Sequence, residues 1–545
     1  MCILTKRGIK MPNYEISLLY PSREASEKNA QGKDNPNISM ETLEALELDY
    51  AIDLQNSRLC DMFTMDKEVI EYRQGVFKDM LENEELYTLL NKLSPILNDI
   101  SDLRRLSNDN DNTDSYLYSI TEIELYITAI ELLNDGLTPI KDSLKSSAFT
   151  SLYERIFELT RSEYYADLNI RLNELTKRVR EVKSVTIGVN LDSRLRPESA
   201  GVLSVNNDYF KSGELLQKIL RLDFKNNEYT CIAALTPFKK GQSDNQQFAL
   251  NNAFNGALND VFKSSMKSWK KVVNAYVLEN ADFLIQLAPE IEFVTKAVEL
   301  VRALKETENE LVFPEISPFE EKAFEATGLY NPIVAMKVGE KMVENDFSFD
   351  KDGMFYVLSG PNRGGKSVIT CAVGHTFALA QLGLPVPAKS VKLSAVDGIF
   401  THFPTSAEDT IDKGRLGEEC ARLDEIFDKI TDKSLVLLDE SLSSTGSYEA
   451  SYIASEVLSG LSVAGCRGIF STHLHELGMM IDEINEKTKG QGGARIDTLV
   501  AGISDGERSF QISRKKPDGK SYARDIADKY GISLEKIIEK IQKNK

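Results

Sequence analysis

Gly360-Pro361-Asn362-Arg363-Gly364-Gly365-Lys366-Ser367 follows the apolar run Met354 to Leu358 and precedes VITCAVGHTFALAQLG, which reads as a helix. The octapeptide satisfies G-x-x-x-x-G-K-[ST] in the context that pattern needs, a strand, a glycine loop and a helix. Glycines let backbone N–H groups surround a β-phosphate, and the helix N-terminus adds a favourable dipole. Gly360, Pro361, Asn362, Arg363, Gly364, Gly365, Lys366, Ser367 and Val368 are therefore the candidate nucleotide-binding residues, with Lys366 reaching the β- and γ-phosphates and the Ser367 hydroxyl on Mg²⁺.

A phosphate cradle needs a carboxylate for its metal. Leu435-Val436-Leu437-Leu438-Asp439-Glu440 supplies one: four apolar residues make a buried strand, Asp439 emerges at its end as a candidate Mg²⁺ organiser, and Glu440 is placed to orient or deprotonate an attacking water. Gly468-Ile469-Phe470-Ser471-Thr472-His473 reads as a third strand ending in a polar triplet, and His473 is the candidate sensor of the γ-phosphate or water; His475 reads as local packing or surface. Glu440, Lys366 and His473 are thus the candidate catalytic residues for Mg-dependent ATP hydrolysis.

Around this centre, short apolar runs bounded by Gly and Asp alternate with helical stretches after FPEISPF at 313–319, the pattern of a mainly parallel sheet. From Met40 to about Asp135 apolar residues recur at three- and four-residue spacing, and Ser107 to Ser115 reads as a loop between helices. A long helix is expected from Ala148 to Arg180, strands and turns from Ser184, and helix again from Phe248 to Glu306. The stretch Ser22 to Ser39 reads as a flexible linker. The expected architecture is an α/β C-terminal P-loop ATPase domain with a mainly parallel sheet at 313–545. A mainly α-helical core and lever domain at 40–312 precedes it, carrying a small strand-rich insert at about 184–240, after an N-terminal arm at 1–39.

With 545 residues, 42% hydrophobic and 27% charged, the chain has the composition of a multidomain globular protein rather than a disordered or fibrous one. No apolar stretch approaches the roughly 20 residues of a membrane span, and the start lacks a secretory signal, so a cytoplasmic protein without membrane contact is expected. Six scattered cysteines without C-x-x-C spacing read as reduced thiols, and four histidines do not support a zinc site. The net charge of −19 is uneven: between Glu41 and Ile140, 22 Asp plus Glu stand against 7 Lys plus Arg. A local basic surface is therefore compatible with the acidic total, because fields decay over about 8 Å at physiological salt. Such a cluster lies near the strand-rich insert: Lys177, Arg178, Arg180, Lys183, Arg194, Arg196, Lys239 and Lys240. It is either a solvated face or a phosphate-binding one.

These segments together resemble the MutS family of DNA mismatch-repair ATPases, whose nucleotide domain is of the ABC type. GPNRGGKS is similar to that family's GPNMGGKS loop, SLVLLDES to its SLVLMDE strand and STHLHEL to its switch segment; VENDF, VPA and DGIFTHF match its linking segments in order from about Tyr330 to Leu477. FQISRKKPDGKSYARDIADKYGIS resembles its closing strand, turn and helix, and TMDKEVIEYRQGVF the start of its helical core. The resemblance implies paired ATPase domains in a homodimer, each site completed by the opposing subunit. The stretch Lys413 to Cys420 stands where the family has its trans-acting loop but lacks its serine, so the Gly414 amide or Arg415 is the candidate replacement, Arg415 being otherwise a surface ion-pair former. Ser444 and Thr445, with Ser443, fall where the family's dimer-crossing loop lies. No Phe-x-Glu segment occurs in the first forty residues, so a short form without the N-terminal mismatch-reading domain is expected. The implied partners are double-stranded or branched DNA, a second copy and a downstream repair protein. The competing expectation is an ABC-type scaffold that docks proteins through its acidic helices without touching DNA. A regulatory nucleotide-binding module with negligible turnover is a further possibility.

Overall fold

The computed structural model describes residues 16–107, 113–180, 184–195, 197–206, 236–237, 276, 282–361, 363–404, 415–442, 446–504, 507–516 and 531–543. They fall into two compact units, Asn83–Ile291 and Ser17–Glu82 with Glu292–Lys545.

The first unit is helical: α5 (Glu84–Ser107), α6 (Thr113–Ile140), α7 (Ser147–Thr160) and α8 (Glu163–Arg180). Leu86, Leu90, Leu93 and Leu97 of α5 bury against Ile123, Ile130, Leu133 and Leu137 of α6, and Gly136 admits Leu89, whose Cδ1 lies 2.6 Å from where a Cβ would stand. The single helix expected over 148–180 is two. The chain turns at Arg161 and Ser162, and the Ser162 hydroxyl accepts from the Tyr165 N–H at 3.2 Å to begin α8. Beyond α8, β2 (Ser184–Leu191), β3 (Pro197–Asn206) and β4 (Thr236–Pro237) form an antiparallel sheet; 207–235 and 238–240 of the expected insert lie outside the described residues. Helix α9 (Asp282–Lys305) runs across the boundary between the units.

In the second unit the short elements are α1 (Arg23–Ala30), β1 (Asn37–Ile38), α2 (Met40–Ala45) and α3 (Leu48–Ala51), followed by α4 (Lys67–Glu82). The 22–39 stretch is thus not a free linker. Ser22 and Ser39 cap α1 and α2 with their side chains, and β1 pairs in parallel with the edge of the main sheet. Its apolar residues are few, and it is held by partners distant in sequence: the Asn37 N–H donates to the Asp397 carbonyl at 2.7 Å, and the Met65 N–H donates to the Asp34 carbonyl at 2.7 Å.

The main sheet of this unit has seven strands in the order β1-β10-β11-β12-β8-β13-β14. Here β8 is Phe355–Ser359, β10 Gly398–His402, β11 Leu435–Asp439, β12 Arg467–Ser471, β13 Ile496–Ser504 and β14 Glu507–Arg514. All pairings are parallel except β13 with β14. Strands β8, β11 and β12 are buried at every residue, as expected of a parallel sheet covered on both faces. A second sheet, β5-β9-β6-β7, comprises β5 (Glu315–Ser317), β6 (Phe324–Leu329), β7 (Asn345–Phe349) and β9 (Ser390–Ser394). The remaining helices are α10 (Pro332–Val338), α11 (Lys366–Gln381), α12 (Arg415–Phe427), α13 (Ser447–Ala464), α14 (His475–Met479), α15 (Ile481–Lys489) and α16 (Leu534–Lys543). Phe324 of β6 stacks on Phe377 of α11 with centroids 4.7 Å apart, and Arg467 lies buried over the same ring.

Candidate nucleotide site

Because β8, β12 and β11 are parallel neighbours, whatever follows each of them in sequence emerges at one edge of the sheet. After β8 comes the glycine loop, after β12 Thr472 and His473, and at the end of β11 Asp439 and Glu440. Register places Asp439 opposite Ser471, and the Glu440 N–H donates to the Ser471 carbonyl at 2.8 Å. The Thr472 N–H donates to the Leu358 carbonyl at 3.0 Å, tying the middle strand to the loop's own strand.

The loop turns tightly on residues with positive φ: Gly360 at +146°, Arg363 at +59° and Gly365 at +89°. A Cβ on Gly360 would stand 2.7 Å from the Ala501 Cβ, and one on Gly364 would stand 2.8 Å from the Pro361 carbonyl oxygen. These positions need glycine because a Cβ there would collide with Ala501 and with the Pro361 carbonyl. Lys366 opens α11 and is buried, its Nζ donating to the Gly360 and Pro361 carbonyls at 3.2 and 3.3 Å. Burial pushes its pKa down, and the carboxylates of Glu440 and Asp439 draw it back up. The lysine and the acid pair therefore share one electrostatic site.

Burial pushes the Asp439 carboxyl up, against the Ser367 and Ser471 hydroxyls, which favour its charged form. Its Oδ1 and, in the neighbouring strand, Ser471 Oγ are buried and close no hydrogen bond of normal geometry, although the Ser471 hydroxyl stands near enough to favour the charged carboxylate. A buried carboxylate oxygen left unpaired beside a serine hydroxyl is a hard-oxygen donor set of the kind Mg²⁺ takes together with substrate phosphates. Among the described residues no group of three His, Cys, Asp or Glu side chains is spaced to hold a metal unaided. Protein oxygens plus nucleotide oxygens fit the ion; a closed protein cage is not what is built here.

Glu440 is half-buried and takes φ +47°, and Leu442 takes φ +65°, so the turn after β11 holds two non-glycine residues in the left-handed region. Such strain costs of order 1–3 kcal/mol per residue and persists only where surroundings impose it. Ser441 supplies part of that imposition through His402, at the end of β10: His402 Nδ1 and Ser441 Oγ are 2.7 Å apart, and the hydroxyl lies 3.1 Å from the His402 carbonyl. His473 is exposed at the same edge, and the Leu474 N–H donates to Thr472 Oγ1 at 3.0 Å to turn the chain into α14.

The other expected positions are placed unevenly. Asn362, Gly414, Ser444, Thr445, Lys183, Arg196, Lys239 and Lys240 lie outside the described residues. Arg415 is the first residue of α12, and Lys177, Arg178 and Arg180 lie on the last turn of α8. Arg194 is exposed in the turn between β2 and β3, where its N–H donates to Asp192 Oδ1 at 2.8 Å. Three residues around the strand ends carry no local mark in the sequence. His402 sits inside a segment with no charged partner nearby in sequence. Ser471 gains meaning only from its register with Asp439. Phe510 takes φ +56° in β14, is 46% exposed, and lies with its Cδ1 3.5 Å from where a Gly365 Cβ would stand.

The strand, glycine loop, helix and neighbouring acid pair define a P-loop ATPase domain. Residues 356–540 match the family model for MutS domain V, and residues 65–307 match that for the MutS2 N-terminal domain. The chain belongs to the MutS family. The DNA mismatch repair protein MutS of Thermotoga neapolitana is 34% identical over 224 residues, 39% of this chain and 27% of that protein. That of Flavobacterium psychrophilum is 28% identical over 300 residues, 52% and 32% of the two chains. DNA mismatch repair protein MutS 1 of Haloarcula marismortui is 30% identical over 246 residues, 44% and 26%. The chain spans about a third or less of the length of these relatives.

Proposed function

We propose that this protein is an ATPase of the MutS family that hydrolyses Mg-ATP in composite sites of a homodimer and uses that cycle to control its grip on double-stranded or branched DNA, in mismatch repair or a related repair or recombination process in the cytoplasm. The observation that carries the reading is the convergence of Lys366, Asp439 and Glu440, from two separate strand ends, on one electrostatic site. Backbone amides from Gly360 to Val368 cradle the phosphates and Lys366 exchanges the loop carbonyls for phosphate oxygens. Ser367 and Asp439 hold the magnesium ion, which when bound neutralises charge developing on the phosphates. Glu440 orients water for in-line attack, and His473 reports the γ-phosphate. Gly414 or Arg415, with Ser444 and Thr445, completes the partner's site.

The DNA-gripping part of the reading is supported by the family and by the basic residues at the end of α8 and around β2 and β3. Only a ligand that prefers one arrangement of the dimer can drive it there, so ATP must alter DNA affinity. The test is an affinity panel of homoduplex, mismatched and four-way-junction DNA at fixed salt, with and without ATP, followed by a salt titration. The expected result is ATP-dependent affinity that falls steeply with salt and weakens on charge reversal at Lys177, Arg178 and Lys183. Affinity indifferent to salt and to those reversals overturns DNA binding in favour of a protein-docking scaffold. Failure of the purified chain to retain ATP overturns the whole reading.

A further inference from the structure

His402 is buried at the sheet edge and is used by no step described above. On one side its Nδ1 meets Ser441 Oγ, the residue directly after Glu440. On the other it stands against α12: the imidazole faces the backbone carbonyl of Glu419 and feels the charge of Arg422, and Arg422 Nη1 approaches the Phe403 carbonyl at 3.4 Å. At this junction His402 Nε2 faces the Glu419 carbonyl without closing a hydrogen bond of normal geometry, and Glu419 Oε2 is buried without one. Buried polar atoms are rarely left unpaired, so both mark this junction as strained or functional rather than as plain packing.

We propose that His402 is a positioning residue that couples α12 to Glu440: its Nδ1 holds the strained Ser441 turn, and its Nε2 is the contact that a displacement of α12 makes or breaks. Helix α12 begins at Arg415, so whatever engages the start of that helix gains a route through His402 and Ser441 to the attacking-water residue on the adjacent strand. The inference rests on the ATPase reading, in which Glu440 positions the water.

The test is a set of substitutions in the full-length protein, read by ATP turnover, by equilibrium ATP affinity and by hydrogen exchange. H402A and S441A are each expected to lower kcat about tenfold while ATP affinity and melting temperature stay near wild type, and the double variant to be no worse than either alone. Asn places an amide where Nδ1 stands, so H402N is expected to recover most of the kcat. E419A is expected to change kcat in the wild-type background and to have no further effect in H402N, which keeps the Ser441 contact but cannot reach α12. Additive losses in the double variant, or H402N as slow as H402A, overturn the proposal. Hydrogen exchange supplies the arm that does not need turnover: H402A must speed exchange at amides 440–442 and 416–420 together, and unchanged exchange there sinks the coupling even if the protein hydrolyses nothing. Loss of ATP turnover in wild type with normal exchange changes in H402A instead faults the ATPase reading alone.

Discussion

The two units treat charge differently. In the unit built on the parallel sheet, charged side chains are delivered by strand ends to one edge, where Lys366 and Asp439 are buried and each shifts the other's protonation. In the helical unit the acidic residues mostly line solvent, and the notable buried polar arrangement is structural. Arg104 of α5 meets Glu122 of α6 at 3.0 Å and Asp282 of α9 at 2.6 Å, beside the edge-to-face pair Tyr126 and Tyr276. Parallel strands concentrate chemistry at a point because all their carboxyl ends face one way; antiparallel helices spread their polar faces along their length. One unit thus gathers its charged groups at one edge, and the other spreads them along its helices.

That contrast can be broken in several ways. The largest effect is expected at the reactive edge. K366A or E440Q should cut ATP turnover by about a hundredfold or more, measured as steady-state phosphate release. Of the two, E440Q should keep ATP affinity, because its half-buried carboxylate is not among the phosphate contacts. Equal loss from an acidic residue of the helical unit such as Glu131 would erase the distinction.

Next comes the frame of the edge itself. A Cβ on Gly468 would stand 2.1 Å from the Val436 carbonyl oxygen and 2.4 Å from Phe355, so G468A should destabilise the sheet unit by about 3 kcal/mol. Denaturant unfolding checks it, and R104A should cost the helical unit about 2 kcal/mol in the same experiment by stranding the buried Glu122 carboxylate.

The units should also respond to acid in opposite senses. Burial holds His375 of α11 down to about 4, with its Nε2 2.7 Å from the Leu46 carbonyl. The unfolded chain then binds the proton first, and stability present at neutral pH is lost as pH falls from about 6.5 toward 4. H375Q should flatten that loss by about 2 kcal/mol between pH 7 and 5. Glu122 is pushed up by burial, chiefly, against the pull of Arg104. The folded state holds that proton more tightly, so its ionisation weakens the helical unit as pH rises through the carboxylate range, and E122Q should remove that dependence. Calorimetry across pH 4–8 tests both signs. The smallest effect is expected at Phe510: F510A should weaken nucleotide binding by about 1 kcal/mol, roughly fivefold, if its ring covers part of the bound nucleotide.

The readable part of the site was local. Gly360 to Ser367 announces a cradle because glycine spacing, a lysine and a hydroxyl follow one another within eight residues. The strand ending in Asp439 and Glu440 is equally plain, since an apolar run ending in acids has few other uses. The same rules misread Ser22 to Ser39, whose polar composition signals a linker although the segment is folded against β10. They also ran α7 and α8 together, because apolar spacing continues across Arg161 and only the Ser162 cap marks the break.

Local pattern by itself determined which residues bear charge, where glycines let the backbone turn tightly, and which runs are strands. Strand order was decided only in three dimensions. It is the placing of β12 between β8 and β11 that brings Ser471 against Asp439, and the pairing of β10 beside β11 that sets His402 on Ser441. Register depends on burial and hydrogen bonding summed over distant segments, and no window of sequence contains that sum.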